Sequence, residues 1–388
     1  MSAPEPIPLA KPDLGPREEE LVLEVLRSGR LSIGPMLERF EREFAAWLGA
    51  EDAVATSSGT AALHLGVRAL GWGAGDEVVT SPFSFVASAN CLVYEGAAPV
   101  FCDIDPVTLD IDAGAARATV GERTAGLLPV HIFGYPAPLP ELERLAAERG
   151  LAILEDACEA AGAVDSEGAA VGTRGNIAGF GFYGNKQLVT GEGGMAIPPD
   201  AATAARMRSE RNQGRDADLG WLEHERIGFN YRLTDLQAAL GVAQVERADA
   251  LLSERARVAS LYGERLARLG GAGAGEGDPD GLVLPCADRG AERRSWFVYV
   301  VQLPRGADRD AVISSLADRG IAAKAYLPCI HLMPPYRERF GFAEGRFPVA
   351  ESVSSRSLAL PFFVGMEEAQ VERACAALAG ALGLDSPA

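Results

Sequence analysis

Lysine is scarce in this chain. Of 388 residues only Lys11, Lys186 and Lys324 are lysine, which leaves 33 of the 36 basic residues as arginine. A chain that uses arginine wherever any cation serves raises a question at each lysine. Positive charge is also short overall, with 54 acidic residues and a net charge of −18. Such a field repels nucleic acid and anionic membrane surfaces, so neither is expected as a partner, and a phosphate-bearing ligand must be captured locally. No stretch approaches the roughly 18 uninterrupted apolar residues of a membrane helix. The start lacks a basic region followed by an apolar run, and a cytoplasmic location is expected. The six cysteines are scattered with no close pair of the kind zinc sites use, which predicts reduced structural thiols and no metal site. What is present, 48% apolar and 23% charged residues, is the composition of an ordinary folded enzyme, and the length suits one large unit or two domains.

Residues 35–50 carry Leu37, Phe40, Phe44, Trp47 and Leu48 at helical spacing, which predicts an amphipathic helix ending at Gly49. Thereafter short apolar runs at 76–80, 99–103, 126–131, 151–155, 177–182 and 194–197 alternate with helical patterns at 60–70, 84–95 and 139–149. That alternation predicts an α/β fold with a mostly parallel sheet covered by helices on both faces. Thr234 and Gln237 form a capping-box signature ahead of one long, bent helix running to Leu269. Segment 270–281 is expected to be an exposed loop, 296–302 a strand of a half-solvated sheet, 308–319 a helix and 321–326 a second strand. The organisation expected is a large domain over 1–250 with an N-terminal arm and a smaller α+β domain over 251–388.

Three segments carry chemistry. Ser58, Gly59 and Thr60 stand at the mouth of a helix, whose free N–H groups and positive dipole end suit a phosphate; the same residues also suit a plain helix cap. Asp156 follows an apolar run and is expected at the carboxyl end of a buried parallel strand, where open α/β sheets place their ligands. A carboxylate there serves either to cap the next helix or to hold a proton on a heterocyclic nitrogen. Lys186 lies past another apolar strand, among glycines, 30 residues after Asp156. A partly desolvated lysine is a nucleophilic amine able to form a Schiff base. An anion grip, a pyridinium partner and a Schiff-base lysine on successive loops of one sheet edge together describe a pocket for pyridoxal 5′-phosphate.

From these residues the chain resembles the DegT/DnrJ/StrS-type family of nucleotide-sugar aminotransferases. The resemblance runs through residues 57–65 (SSGTAALHL), 81–90 (SPFSFVASAN), 102–106 (CDIDP), 129–134 (PVHIFG), 155–162 (EDACEAAG), 182–195 (FYGNKQLVTGEGGM), 211–214 (RNQG), 228–240 (GFNYRLTDLQAAL) and 330–336 (IHLMPPY). It implies an aspartate-aminotransferase-like fold, the fold type I of pyridoxal-phosphate enzymes, and a set of roles. Lys186 matches the lysine that bonds to the cofactor aldehyde and shuttles the proton, and Asp156 the carboxylate beside the ring nitrogen. Ser58, Gly59 and Thr60 match the phosphate grip and Phe85 the aromatic ring stacked on the cofactor. Asn230 matches an asparagine that reaches the phosphate across a dimer interface, which implies a homodimer with shared active sites. His331 matches a histidine lining the sugar site, with a packed loop histidine as the alternative. Tyr183 and Arg232 are assigned to the substrate, Arg232 for its diphosphate.

Two positions depart from the family's pattern. Gly181 stands where many members have a phosphate-binding serine, which shifts that duty to Asn185 or to Asn230 of the partner chain. Glu159 stands where many have glutamine, near the cofactor's phenolic oxygen, where a carboxylate needs to be protonated or paired. The activity implied is transfer of an amino group from L-glutamate to a nucleotide-linked keto sugar, with a 4-keto-6-deoxyhexose as the expected acceptor. The alternatives are a dehydratase or aromatising relative and a non-catalytic regulatory homologue. The dehydratase branch replaces the lysine with histidine, which this chain does not. A dinucleotide-binding dehydrogenase is disfavoured because the first strand–helix turn lacks G-x-G-x-x-G.

Overall fold

The computed structural model describes residues 5–215 and 223–384. Helices α1 (Pro16–Ser28) and α2 (Pro35–Leu48) precede an alternating run of strands and helices. That run comprises β1 (Val54–Thr56), α3 (Gly59–Leu70), β2 (Glu77–Thr80), α4 (Ala87–Tyr94), β3 (Ala98–Phe101), α5 (Ala113–Thr119), β4 (Thr124–Leu128), α6 (Leu139–Arg149), β5 (Ala152–Asp156), β6 (Ile177–Gly181), β7 (Gly194–Ile197) and α7 (Ala201–Arg211). The strands form one seven-stranded sheet in the order β1-β7-β6-β5-β4-β2-β3, with β3, β2, β4, β5 and β6 parallel and β7 antiparallel to both of its neighbours. The mostly parallel sheet expected from the alternation is therefore present. Its strands are apolar without alternation because both faces are covered, as the burial of Ile153, Leu154, Ala178 and Phe180 shows.

Helix α3 sits hard against this sheet. A Cβ at Gly66 would stand 2.7 Å from Cδ1 of Leu154, so a larger residue there would have to displace the Leu154 side chain on β5. Leu63, Leu65 and Val67 are buried there with Leu154 and Ile177, each contributing about 2 kcal/mol by removal from water. The consequence is positional, since the first turn of α3 is held at the carboxyl edge of β5 and β6.

The chain continues through α8 (Asp235–Glu246) and α9 (Ala248–Arg268) to β8 (Ala272–Gly273), β9 (Val283–Leu284), β10 (Tyr299–Gln302), α10 (Arg309–Asp318), β11 (Lys324–Ala325), α11 (Pro334–Phe340), α12 (Pro348–Arg356), β12 (Ser357–Leu360) and α13 (Glu368–Leu382). The five strands form a second sheet, β11-β12-β10-β9-β8. The capping box of Thr234 and Gln237 starts α8 as expected. The single bent helix expected to reach Leu269 is instead two, because Arg247 leaves helical geometry at φ −125°, ψ 19°. Its guanidinium is engaged by Glu18 at 2.9 Å and by Asp13, both from the N-terminal region. Segment 270–281 contains β8, which pairs with β9, so it is not wholly loop.

Strand β10 is buried along its whole length rather than half-solvated. Tyr299 and Val301 pack with Tyr262 of α9 and Leu378 of α13. Val300 packs on the opposite side with Ile132 and Phe133 of the large domain. The alternation looked half-solvated because it reports two different buried faces, one of which meets another domain.

Candidate active site

Three chain segments converge at the carboxyl edge of β5 and β6. The Ser58 hydroxyl caps α3 by accepting from Ala61 N–H at 3.1 Å, and the N–H groups of Gly59 and Thr60, in the first turn, have no intrahelical acceptor. Gly59 is required by packing. A Cβ there would lie 2.7 Å from Cys158 Sγ and 3.1 Å from Gly181 Cα, so its bareness lets all three loops meet. At the end of β5, Asp156 is 5% exposed; one carboxylate oxygen accepts from Cys158 N–H at 3.1 Å and the other from the Ser88 hydroxyl at 2.6 Å. Beyond β6 the chain turns at Tyr183, whose carbonyl accepts from Lys186 N–H at 2.9 Å, and the Lys186 side chain folds back over the cavity.

The Lys186 amine has two neighbours, Glu159 Oε1 at 3.5 Å and the face of Phe297, whose ring centroid is 3.8 Å from Nζ. The ring attracts the ammonium through its quadrupole. Burial pushes the Glu159 carboxyl up from its ordinary range, against the opposing pull of the Lys186 amine and of Phe133 N–H, which donates to it at 3.0 Å. Arg255 of α9 braces the loop from behind. It donates to the carbonyls of Lys186 at 2.7 Å, Asn185 at 3.4 Å, Phe297 at 3.1 Å and Trp296 at 3.3 Å.

These groups line one cavity of about 460 Å³, a size typical of cofactor sites. Nine of the twelve residues singled out in the sequence face it together: Ser58, Gly59, Thr60, Phe85, Asp156, Glu159, Tyr183, Asn185 and Lys186. The Asn185 side-chain oxygen has no hydrogen-bond partner among the described residues, and Phe85 is 59% exposed. The arrangement can hold an anion at the first turn of α3, a planar ring against Phe85, a positive nitrogen beside Asp156 and a carbonyl within reach of Lys186.

Residues 12–379 match the family model described as the DegT/DnrJ/EryC1/StrS aminotransferase family. The chain belongs to this family. It is 38% identical to the GDP-perosamine synthase of Caulobacter vibrioides, over 96% of this chain and 97% of that protein. It is 36% identical to the spore coat polysaccharide biosynthesis protein SpsC of Bacillus subtilis, over 94% of each. The crystal structure of DesV from S. venezuelae superimposes with a TM-score of 0.87 at 33% identity, covering 97% of this chain and 98% of that one. The chain is thus a pyridoxal-phosphate-dependent aminotransferase of fold type I. The residues present fit that cofactor, since the cavity combines a helix N-terminus, a carboxylate held by two donors and an amine with no closer partner than 3.5 Å.

Three expected site residues are not brought to this cavity. His331, expected at the sugar site, is fully buried and does not line this cavity. Its Nε2 pairs with Glu351 at 3.0 Å and its ring packs edge-on against Phe347, the contacts of the packed-histidine alternative, while its Nδ1 has no hydrogen-bond partner among the described residues. Arg232 faces away from the cavity because its segment runs beside the end of α7, where Tyr231 N–H donates to Arg211 C=O; it donates to Asn212 Oδ1 at 3.0 Å and lines a separate groove with Arg206, Arg208 and Arg211. Asn230 is exposed, outside this chain's own cavity, and bridges to Asn212. In the opposite sense, Phe297, Tyr326 and Leu327 line the cavity without having been singled out. They come from the small domain, and no local spacing announces a residue whose partner lies over 100 positions away. Ser84 and Ser88 were also missed, although their four-residue spacing beside Phe85 was visible.

Proposed function

We propose that this aminotransferase moves an amino group from L-glutamate to a keto sugar carried on a nucleoside diphosphate, with a 4-keto-6-deoxyhexose as the expected acceptor. The observation that carries the reading is the convergence of Lys186, Asp156 and the first turn of α3 on one cavity. When bound, pyridoxal phosphate supplies an aldehyde that carries nitrogen between donor and acceptor, and a ring that takes up the electrons released on proton removal. Lys186 Nζ would hold that aldehyde and, as a free amine, would accept and return the proton. Asp156 would pair with the ring nitrogen and keep it protonated, while the N–H groups of Gly59 and Thr60 would hold the phosphate. Phe85 covers one ring face. Glu159, whose carboxyl burial pushes up from its ordinary range, stands 3.5 Å from the amine.

The reading extends to a homodimer with shared sites, in which Asn230 reaches the partner's phosphate and Arg232 meets the nucleotide diphosphate of the partner's site. Two facts support it: Asn230 and Arg232 do not face their own chain's cavity, and Phe85, Tyr183 and Ile227 are exposed at 59%, 55% and 81%. The name borne by the Caulobacter relative, GDP-perosamine synthase, points to an amino sugar on a nucleotide as product. Glutamate labelled at its amino nitrogen, incubated with the loaded enzyme and a panel of nucleotide keto sugars, should yield a labelled amino sugar by mass. Product without label, or loss of water without amination, overturns the proposal.

A further inference from the structure

Asp156 is fixed by more than its strand. Its backbone is tied to the segment that follows β4, N–H donating to Pro129 C=O at 2.9 Å and C=O accepting from His131 N–H at 3.1 Å. That leaves the carboxylate plane free, because the terminal torsion of aspartate is broad. Two donors remove this freedom: Cys158 N–H on one oxygen at 3.1 Å and the Ser88 hydroxyl on the other at 2.6 Å. Ser88 is fully buried and does not reach the cavity. Its hydroxyl lies 2.7 Å from that of Ser84, itself 2% exposed.

The proton directions follow from the inventory of groups. A hydroxyl has one proton, and a carboxylate only accepts. The competing acceptor is the Phe85 carbonyl, neutral and more distant, at 3.1 Å from Ser88 and 3.2 Å from Ser84. The Ser88 proton therefore points to Asp156 and the Ser84 proton to Ser88, and a hydroxyl that accepts one bond donates the next more strongly. We propose that Ser88, supported by Ser84, is a positioning residue that turns the Asp156 carboxylate toward the cofactor's ring nitrogen. Phe85 sits between the two serines, so one five-residue turn sets both the stacking ring and the carboxylate. This inference rests on the cofactor assignment proposed above.

The test compares wild type, Ser88→Ala, Ser88→Thr, Ser84→Ala and Lys186→Ala, each stripped of cofactor and retitrated with pyridoxal phosphate. The readouts are the dissociation constant and the pH midpoint of the bound cofactor's visible absorption. Ser88→Ala should raise the dissociation constant on the order of 10-fold, the effect of removing a hydrogen bond to a charged group. It should also move the midpoint upward, because a less firmly held positive charge at the ring nitrogen leaves the nitrogen joined to Lys186 more basic. Ser88→Thr, which keeps the hydroxyl, should restore both readouts, and Ser84→Ala should shift both in the same direction by less. Ser88→Ala that binds and titrates as wild type, or Ser88→Thr no better than Ser88→Ala, overturns the proposal while a Lys186-dependent band leaves the cofactor assignment standing. If Ser88→Ala does not fold, Ser84→Ala decides, and identity with wild type overturns the relay. Borohydride that still fixes the cofactor covalently to Lys186→Ala overturns the role proposed for Lys186, and with it the midpoint readout on which this inference relies.

Discussion

The two walls of the cavity divide the work. The large domain supplies polar groups at strand and helix ends, Asp156 after β5, Lys186 beyond β6 and the first turn of α3. The small domain supplies Phe297, Tyr326 and Leu327, an aromatic and aliphatic surface with no charge of its own. A parallel sheet projects residues past its carboxyl ends and so can aim single functional groups. A wall made of rings instead sets how dry those groups are, and hence how strongly they act on one another. Lys186 and Glu159 lie where the walls meet. Each feels a neighbour from the large domain, while the Phe297 ring lies across the lysine amine at 3.8 Å.

Replacing residues on one wall at a time breaks the comparison. Lys186→Ala should have the largest effect, lowering amino transfer by roughly 10³-fold or more and abolishing the visible band of the loaded enzyme; steady-state rates and an absorption scan check it. Asp156→Asn should cost roughly 100-fold in rate while leaving the covalent link to Lys186 in place, which borohydride trapping and peptide mapping would establish. On the opposite wall, Phe297→Ala should cost less, on the order of 10-fold in kcat, since it removes a ring–cation contact and admits water but deletes no reacting group.

Glu159→Gln should have the smallest effect, visible in stability. The folded pKa of Glu159 is raised above its ordinary value of 4.5 by burial. A raised carboxyl contributes its stability fully below that ordinary value and loses it as pH climbs through the folded value. Thermal melts of the cofactor-free protein should therefore show wild type falling behind Glu159→Gln as pH rises across that window, by on the order of a degree. An unchanged gap between pH 4 and pH 8 would mean that the carboxyl titrates as an ordinary surface group.

The large-domain wall was legible in the sequence because each of its groups follows a local signal. Asp156 closes an apolar run, Lys186 is a rare lysine among glycines, and Ser58 precedes a helical pattern. The small-domain wall was not, because Phe297 and Tyr326 acquire their place only when β10 packs on the large domain, a contact that period-2 alternation cannot distinguish from solvent. His331 shows the same blindness from the other side. Its segment resembles a sugar-binding one, yet Glu351 and Phe347 hold the ring in the core. The serines stand between these cases: their spacing was in view, but the carboxylate they serve is 68 positions away.

Arg255 has a mechanical consequence. Its guanidinium grips carbonyls from the lysine loop and from the segment just before β10 that carries Phe297, and it is 4% exposed. Drawing the small domain away from the large one would strip this cation of its acceptors in a place water does not reach, at a cost of several kcal/mol. The lysine loop and the segment carrying Phe297 are accordingly riveted together by one buried cation.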